Sequence, residues 1–357
     1  MSEYRSTTDR SGLAARLRQC RRGVALSHAK PDGDAIGSCL AMRRLLARFG
    51  ADVEVWLIGP VESALRGVGA DDPIRTIDPK APFDAGELDE FDTILVVDTG
   101  TFGQVEPLAE ALAARRDRIV GIDHHARGDE SLAAVRLVDT SAAATTEIIA
   151  GLAEEFEVSL APAGRGSVGE AIFVGLATDT GWFRFPSAGP RQFALAADLL
   201  GSGVEKDRLY AMLEQQGRPQ RLALLGRALS SLEVLPWRGD ASKGMAVMCL
   251  SSEDFRETGG VSTDTGGLVN EPLAVAGVVA AVLLSEPEAG LVRMSFRSAG
   301  ADALPPGEAE CGGAAIDVNR LAAQFGGGGH VAAAGARRRG SLAEVAAEVR
   351  AAIVATK

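Results

Sequence analysis

The chain has 357 residues, a formal net charge of −11, 46% hydrophobic and 24% charged residues. That length predicts two domains, and the acidic balance argues against a basic face that coats long nucleic acid. The longest apolar runs, such as residues 274–284, fall short of the roughly 20 residues a membrane helix needs; the polar start MSEYRSTTDRSG lacks a signal-peptide core, and cysteines 20, 39, 249 and 311 show neither zinc nor disulfide spacing, so a reduced, cytoplasmic setting without a membrane partner is expected.

Residues 1–10 read as a disordered tail and 11–20 as a short amphipathic helix. The apolar run 23–27 predicts a buried strand, the polar loop 28–34 follows, and 35–49 carries a helical pattern that Gly50 stops. Further strands are expected at 53–58, 93–97 and 118–122, with a helix over 104–115 between the last two. Strands alternating with helices imply a mostly parallel α/β sheet, completed by helices over 145–156, 169–178 and 190–200. Charged helices over 205–216 and 219–231 make a connector. Strands over 245–250, 275–284 and 291–296 then predict a second sheet, with helices over 317–324 and 342–354. Residues 299–314, rich in Gly, Pro and Ala, read as a loop, and Arg337-Arg338-Arg339 as a solvated turn. No internal repeat is visible.

Ligands of an open parallel sheet bind beyond the carboxyl ends of its strands. Three such ends carry acids and imidazoles. His28, Asp32 and Asp34 follow the first expected strand, Asp98 another, and Asp123, His124 and His125 a third; Asp179 follows a separate apolar stretch. Taken singly, these residues have plain readings. Asp98 suits a cap, Asp32 and Asp34 an ordinary turn, His124 and His125 a surface pair, and residues 326–329 a flexible linker. Jointly, those readings require a coincidence at every strand end. Of the four histidines, three fall in this cluster and the fourth, His330, closes a glycine run. Mixed imidazole and carboxylate donors suit Mn, Fe, Zn or Co, and six are more than one ion needs. Two ions sharing a carboxylate activate water and stabilise a leaving oxygen, which is phosphoester hydrolysis. Bound cations also reverse the local field, so an acidic chain can still take a small anionic substrate.

The set His28-x-x-x-Asp32-x-Asp34, Asp98, Asp123-His124-His125 and Asp179 resembles, in order and spacing, the motifs of the DHH phosphoesterase family. Phe296-Arg297-Ser298, Asp317-Val318-Asn319 and the glycines before His330 resemble its DHHA1 partner domain. The short length resembles the nanoRNase and pAp-phosphatase subgroup. The resemblance implies an N-terminal DHH domain over 12–202 with a mostly parallel sheet flanked by helices. It further implies a helical connector over 203–231, a smaller α/β DHHA1 domain over 232–357 and a cleft between the domains. Two divalent ions, manganese first among them, are implied. His28 and Asp32 would hold one, Asp34, His124 and Asp179 the other, with Asp98 bridging. Asp123 would orient a ligand histidine, and His125 would face the substrate phosphate. Arg297, Gly327, Gly328, Gly329 and His330 are implied to bind substrate, with Arg184 a further candidate. The implied substrates are short RNA, pAp and linear or cyclic di-adenylate, and the family allows a homodimer. One departure is the long stretch 299–314 between Arg297 and Asp317. Two alternatives stay open: a pyrophosphatase or polyphosphatase on the same metal site, and a non-catalytic nucleotide-binding regulator.

Overall fold

The computed structural model describes residues 4–237, 240–300, 315–329 and 331–355. The chain folds as two compact units, Met1–Gln216 and Gly217–Lys357.

The first unit is built on a six-stranded, all-parallel sheet in the order β3-β2-β1-β4-β5-β6. Its strands are β1 (Arg22–Leu26), β2 (Asp52–Ile58), β3 (Ile74–Ile77), β4 (Thr93–Val97), β5 (Ile119–Asp123) and β6 (Val135–Val138). Alternation along the strands sends apolar side chains to both faces. Ala25, Val55, Leu95 and Val120 join one core with α1 (Arg10–Leu17), α2 (Gly33–Ala47), α5 (Thr145–Glu155) and α6 (Val168–Asp179). Val24, Leu26, Trp56, Ile94 and Val96 join the other, over α4 (Ala109–Ala113). The unit is completed by α3 (Ser63–Val68), α7 (Pro190–Gly201) and α8 (Lys206–Glu214).

Helix α2 packs against α6, and glycine permits the close approach. A Cβ on Gly37 would stand 2.6 Å from the Ala171 carbonyl oxygen, and one on Gly175 would stand 2.4 Å from Asp34 Oδ1. Neither position has room for a side chain without moving backbone or a buried carboxylate.

The second unit opens with α9 (Pro219–Ser230) and carries a six-stranded sheet in the order β11-β12-β10-β9-β8-β7. The strands are β7 (Glu233–Trp237), β8 (Asp240–Leu250), β9 (Val278–Glu288), β10 (Leu291–Ser298), β11 (Gly328–Gly329) and β12 (Ala333–Arg339). Only β8 and β9 run parallel. Helices α10 (Ser252–Thr258), α11 (Val318–Ala323) and α12 (Leu342–Ala355) pack around it.

Several local expectations are corrected. Residues 4–10 are not a loose tail: Thr7 N–H donates to the Arg136 carbonyl at 2.9 Å and α1 already begins at Arg10. The helix expected over 104–115 shrinks to a 3-10 turn at Phe102–Gln104 and the short α4, because Pro107 lacks the N–H a helix interior requires. Arg337, Arg338 and Arg339 lie in strand β12, paired with β10, and not in a turn. Strands β3, β6, β7, β11 and β12 are additional to those expected. Among the described residues, no helix is long and apolar enough to cross a membrane.

Two glycine substitutions should separate packing from propensity. Gly37→Ala should destabilise the first unit by about 1–3 kcal/mol through overpacking. Gly226→Ala, inside α9 with open space around the added methyl, should stabilise the second unit by about 0.5–1 kcal/mol. Denaturant unfolding followed by circular dichroism reads both, and equal shifts would refute the packing account.

Candidate metal centre

Strands β1, β4 and β5 are neighbours and run parallel, so their carboxyl ends open side by side. His28 follows β1, Asp98 follows β4 directly, and Asp123 ends β5 ahead of His124 and His125. Asp98 has φ of 59°, a left-handed conformation that short polar side chains tolerate better than most. Helix α2 brings Asp32 and Asp34 at its amino end, and α6 brings Asp179 as its last residue. All six expected metal ligands therefore meet at one edge of the first sheet.

Their atoms converge in overlapping groups. His28, Asp32 and Asp98 offer ligand atoms within 4.8 Å of one another, as do Asp34, His124 and Asp179, and Asp98, His124 and His125. Asp98 belongs to both sides: Oδ2 lies 3.5 Å from His28 Nε2 and Oδ1 lies 3.5 Å from His124 Nε2. His124 Nε2 is also 3.5 Å from Asp179 Oδ2, and His28 Nε2 is 3.8 Å from Asp32 Oδ1. These separations are long for hydrogen bonds and close to the roughly 3.0–3.4 Å between donors that share an ion through bonds of about 2.1 Å.

The imidazoles are oriented for that task. His28 Nδ1 lies 3.1 Å from the Ala29 carbonyl and His124 Nδ1 lies 3.3 Å from the Ala142 carbonyl. A carbonyl can only accept, so each Nδ1 carries a proton, and Nε2 is the ring atom left among the carboxylates to meet a cation.

Asp34 is 1% exposed and accepts from Thr145 N–H at 2.6 Å, Thr146 N–H at 3.0 Å and Thr146 Oγ1 at 2.8 Å. It thereby caps α5, whose own preceding residue Ala144 provides no side-chain cap. Thr145 Oγ1 donates to Asp98 Oδ1 at 3.0 Å. Asp32 caps α2 through the N–H groups of Asp34 and Ala35, so its turn role and its place among the ligand atoms coexist.

Electrostatically the cluster is dominated by buried carboxylates. Burial, then the charge of Asp34, pushes Asp98 well above the ordinary carboxylate range. Burial raises Asp34, and burial followed by Asp34 and Asp32 raises Asp179 to about 7. Burial alone would lower His28, but contacts with Asp32 and Asp98 outweigh it and carry the ring up to about 10. Burial is the largest cause of each carboxylate shift, and a divalent ion held there would oppose it.

His125 sits beside this group with a different partner. Its Nδ1 is 2.7 Å from Asp123 Oδ1, and its backbone N–H donates to the same oxygen at 3.1 Å. The Asp123 hydrogen bond, against an opposing contribution from burial, raises the ring to about 9. Arg184 is exposed, and its Nε donates to the Gly181 carbonyl at 2.7 Å.

In the second unit, half-buried Arg297 lies on β10 with Nη1 donating to the Phe296 carbonyl at 2.9 Å. Among the described residues no carboxylate pairs with it, and desolvation lowers its pKa. A half-buried guanidinium of this kind is suited to an anion. The glycine run has a packing reason of its own. A Cβ on Gly327 would stand 2.2 Å from the Gly335 carbonyl, and one on Gly329 would stand 2.5 Å from the Ala333 carbonyl. Gly328, whose Cβ would meet nothing nearer than Asn319 Oδ1 at 3.9 Å, is exposed. His330 lies outside the described residues.

Sequence reading missed Thr145 and Thr146, which hold Asp34 and Asp98, and the carbonyls of Ala29 and Ala142. Two threonines ahead of an apolar helical run are a legible helix start, but nothing local names the carboxylates they serve.

Adjacent parallel strand ends that pool imidazoles and carboxylates define a class: an α/β domain with groups able to hold a divalent metal at the carboxyl edge of its sheet. A family model described as "DHH family, N-terminal domain" matches residues 24–170. The chain is 30% identical over 318 residues to the bifunctional oligoribonuclease and PAP phosphatase NrnA of Thermus thermophilus, covering 88% of this chain and 83% of that protein. It is 26% identical over 331 residues to the cyclic-di-AMP phosphodiesterase GdpP of Geobacillus thermodenitrificans, covering 88% of this chain and 44% of that one. The structure of an exopolyphosphatase-related protein from Bacteroides fragilis superposes with a TM-score of 0.80 at 26% identity, covering 96% of this chain and 95% of the other. The chain belongs to the DHH family.

A cation should stabilise this site. At about one hundred times its dissociation constant, Mn2+ should add about 2.7 kcal/mol, or roughly 5–10 °C in Tm, over the same protein in chelator. Asp98→Asn should remove that shift while leaving the metal-free protein as stable or more so, since one crowded charge is gone. A variant that keeps the full Mn2+ shift in a thermal melt would contradict the shared role of Asp98.

Proposed function

We propose that the chain is a two-metal phosphoesterase that hydrolyses short oligoribonucleotides to mononucleotides and extends to pAp and to linear or cyclic di-adenylate. The observation that carries this reading is Asp98, with one carboxylate oxygen toward each group of ligand atoms. In this reading His28 and Asp32 hold one ion, Asp34, His124 and Asp179 the other, and Asp98 joins them. Manganese suits the mixed nitrogen and oxygen donors. Such a pair supplies an activated water and neutralises charge at phosphorus.

The rest falls to the chain's own residues. Asp123 engages His125 through Nδ1, which leaves Nε2 of this half-exposed ring to donate to a phosphate oxygen as charge builds there. Ala29 and Ala142 keep the ligand histidines in one tautomer. In the second unit, Arg297 binds a substrate phosphate, and Gly328, exposed and free of close neighbours, admits a nucleotide near its backbone N–H. Gly327, Gly329, His330 and Arg184 remain secondary candidates. The relatives' names favour this reading: an oligoribonuclease and PAP phosphatase, and a cyclic-di-AMP phosphodiesterase. Because the same metal chemistry would serve pyrophosphate or polyphosphate, those compounds belong in the test.

An end-point panel with Mn2+ decides. It should contain RNA dimers to pentamers, linear and cyclic di-adenylate, pAp, pyrophosphate and polyphosphate. Short RNA or linear di-adenylate should be cleaved in preference to the inorganic phosphates; cleavage of the latter alone would overturn the reading. Asp98→Ala should lower metal-dependent turnover about a thousandfold or more, since several kcal/mol of charge stabilisation is lost. Arg297→Ala should raise KM for short RNA by about 10- to 100-fold, the worth of one charge-assisted hydrogen bond; an unchanged KM would remove Arg297 from the substrate site.

A further inference from the structure

Tyr4 lies far outside the metal motifs, yet its side chain ends beside them. The phenol is buried against two loops of the site. A Cβ on Gly100 would stand 2.2 Å from the Tyr4 hydroxyl oxygen, and one on Gly128 would stand 2.6 Å from its ring. Gly100 is two residues beyond Asp98 and Gly128 three beyond His125, so the ring wedges between the turns that carry them.

The segment behind Tyr4 is firmly held. The Arg5 carbonyl accepts from Arg136 Nε at 2.7 Å, and the Arg136 guanidinium lies 5.6 Å from the Tyr4 ring centroid. Ser6 Oγ donates to the Val138 carbonyl at 3.0 Å and accepts Val138 N–H at 2.8 Å. Thr7 Oγ1 donates to the Ala134 carbonyl at 3.1 Å and accepts Arg136 N–H at 2.9 Å. Residues 5–7 thus run along β6, next to the strand that ends in Asp123.

Asp123 is fully buried, and its two oxygens are unequal. Oδ1 serves His125 twice, while among the described residues Oδ2 has no hydrogen-bond partner. A buried carboxylate oxygen left unpaired costs about 1–3 kcal/mol or more, and such orphans call for a reason. The Tyr4 phenol, wedged against Gly100 and Gly128, is a neighbouring donor whose surroundings include this carboxylate. Burial first, and then the Asp123 charge and a hydrogen bond with Asp123, push the phenol above its ordinary pKa, so it keeps the proton it would donate.

We propose that Tyr4 is a positioning residue: its hydroxyl donates to Oδ2 of Asp123 and so fixes the carboxylate whose Oδ1 holds the His125 ring. This rests on the phosphoesterase reading for the role of His125. Without the phenol, Asp123 is free to rotate about its side-chain bonds, and His125 loses the orientation that presents Nε2. A tyrosine that merely fills space would do so with its ring, and phenylalanine would serve as well.

That contrast supplies the test, on the full chain. Tyr4→Phe keeps the wedge between Gly100 and Gly128 and removes only the hydroxyl. With Mn2+ and an RNA dimer, it should lower kcat by about 10- to 100-fold, the usual effect of losing a group that orients an active-site side chain, and leave KM within about twofold. A second readout does not depend on turnover. The chain has only four histidines, so 15N-histidine spectra of the metal-free protein should resolve the His125 Nδ1–H. In the wild type this proton should be protected from exchange, and in Tyr4→Phe its signal should weaken or vanish while the melting temperature holds. An unchanged Nδ1–H signal in Tyr4→Phe would overturn the proposal whatever the rate does. If the wild type cleaves no phosphoester at all, the functional reading fails and the spectral comparison alone still decides the role of Tyr4.

Discussion

A single buried carboxylate, that of Asp34, ties the candidate metal-binding edge of the first unit together. It sits at the amino end of α2, accepts three hydrogen bonds from the first turn of α5, and lies against Gly175 of α6. Three helices thus meet at one charged group, and each brings something the site uses. Helix α2 carries Asp32, α5 carries the threonine that holds Asp98, and α6 ends in Asp179. The arrangement requires close helix approach, which the glycines at 37 and 175 permit. A charge this deep is stable only if donors and counter-charge surround it. The α5 amino end supplies part of that, and a cation would supply the rest.

The same logic extends across the strand ends. Asp98 takes a left-handed backbone conformation at the end of a fully buried strand, a local cost of the kind that accumulates at functional sites. What that turn accomplishes is to point one carboxylate between two histidines on neighbouring strands. Backbone carbonyls fix both rings, so the geometry is set before any ion arrives and little ordering remains to be done on binding.

Much of this was legible from the residues themselves. The strands that lead into the acids and histidines are short, mostly apolar runs, and their order gave both the parallel sheet and the edge at which those residues gather. Edge strands were harder. Ile74–Ile77 and Val135–Val138 are four residues each and mix charge with apolar residues, so no period stands out. Strand β12, with the sequence Ala-Ala-Gly-Ala-Arg-Arg-Arg, lacks the β-branched and aromatic residues that announce a strand and depends on its pairing with β10. The glycine run before His330 suggested only backbone freedom for an anion. The structure adds that Gly327 and Gly329 are small because β12 passes against them. Tyr4 could not be read at all, since a polar segment with one aromatic gives no sign of where that aromatic lands.

The course of residues 5–7 along β6 also bears on colloidal behaviour. An open parallel sheet has two edges, each a row of unpaired amide and carbonyl groups able to recruit a strand from another molecule. At one edge, β3 is only four residues long and carries Arg75, stacked over Trp56. At the other, Ser6 and Thr7 take up main-chain groups of Ala134, Arg136 and Val138. The first residues of the chain therefore act as a local cover against edge-to-edge association. A version of the protein shortened before Arg10 would expose that row and become prone to self-association at high concentration, even with its candidate metal ligands untouched.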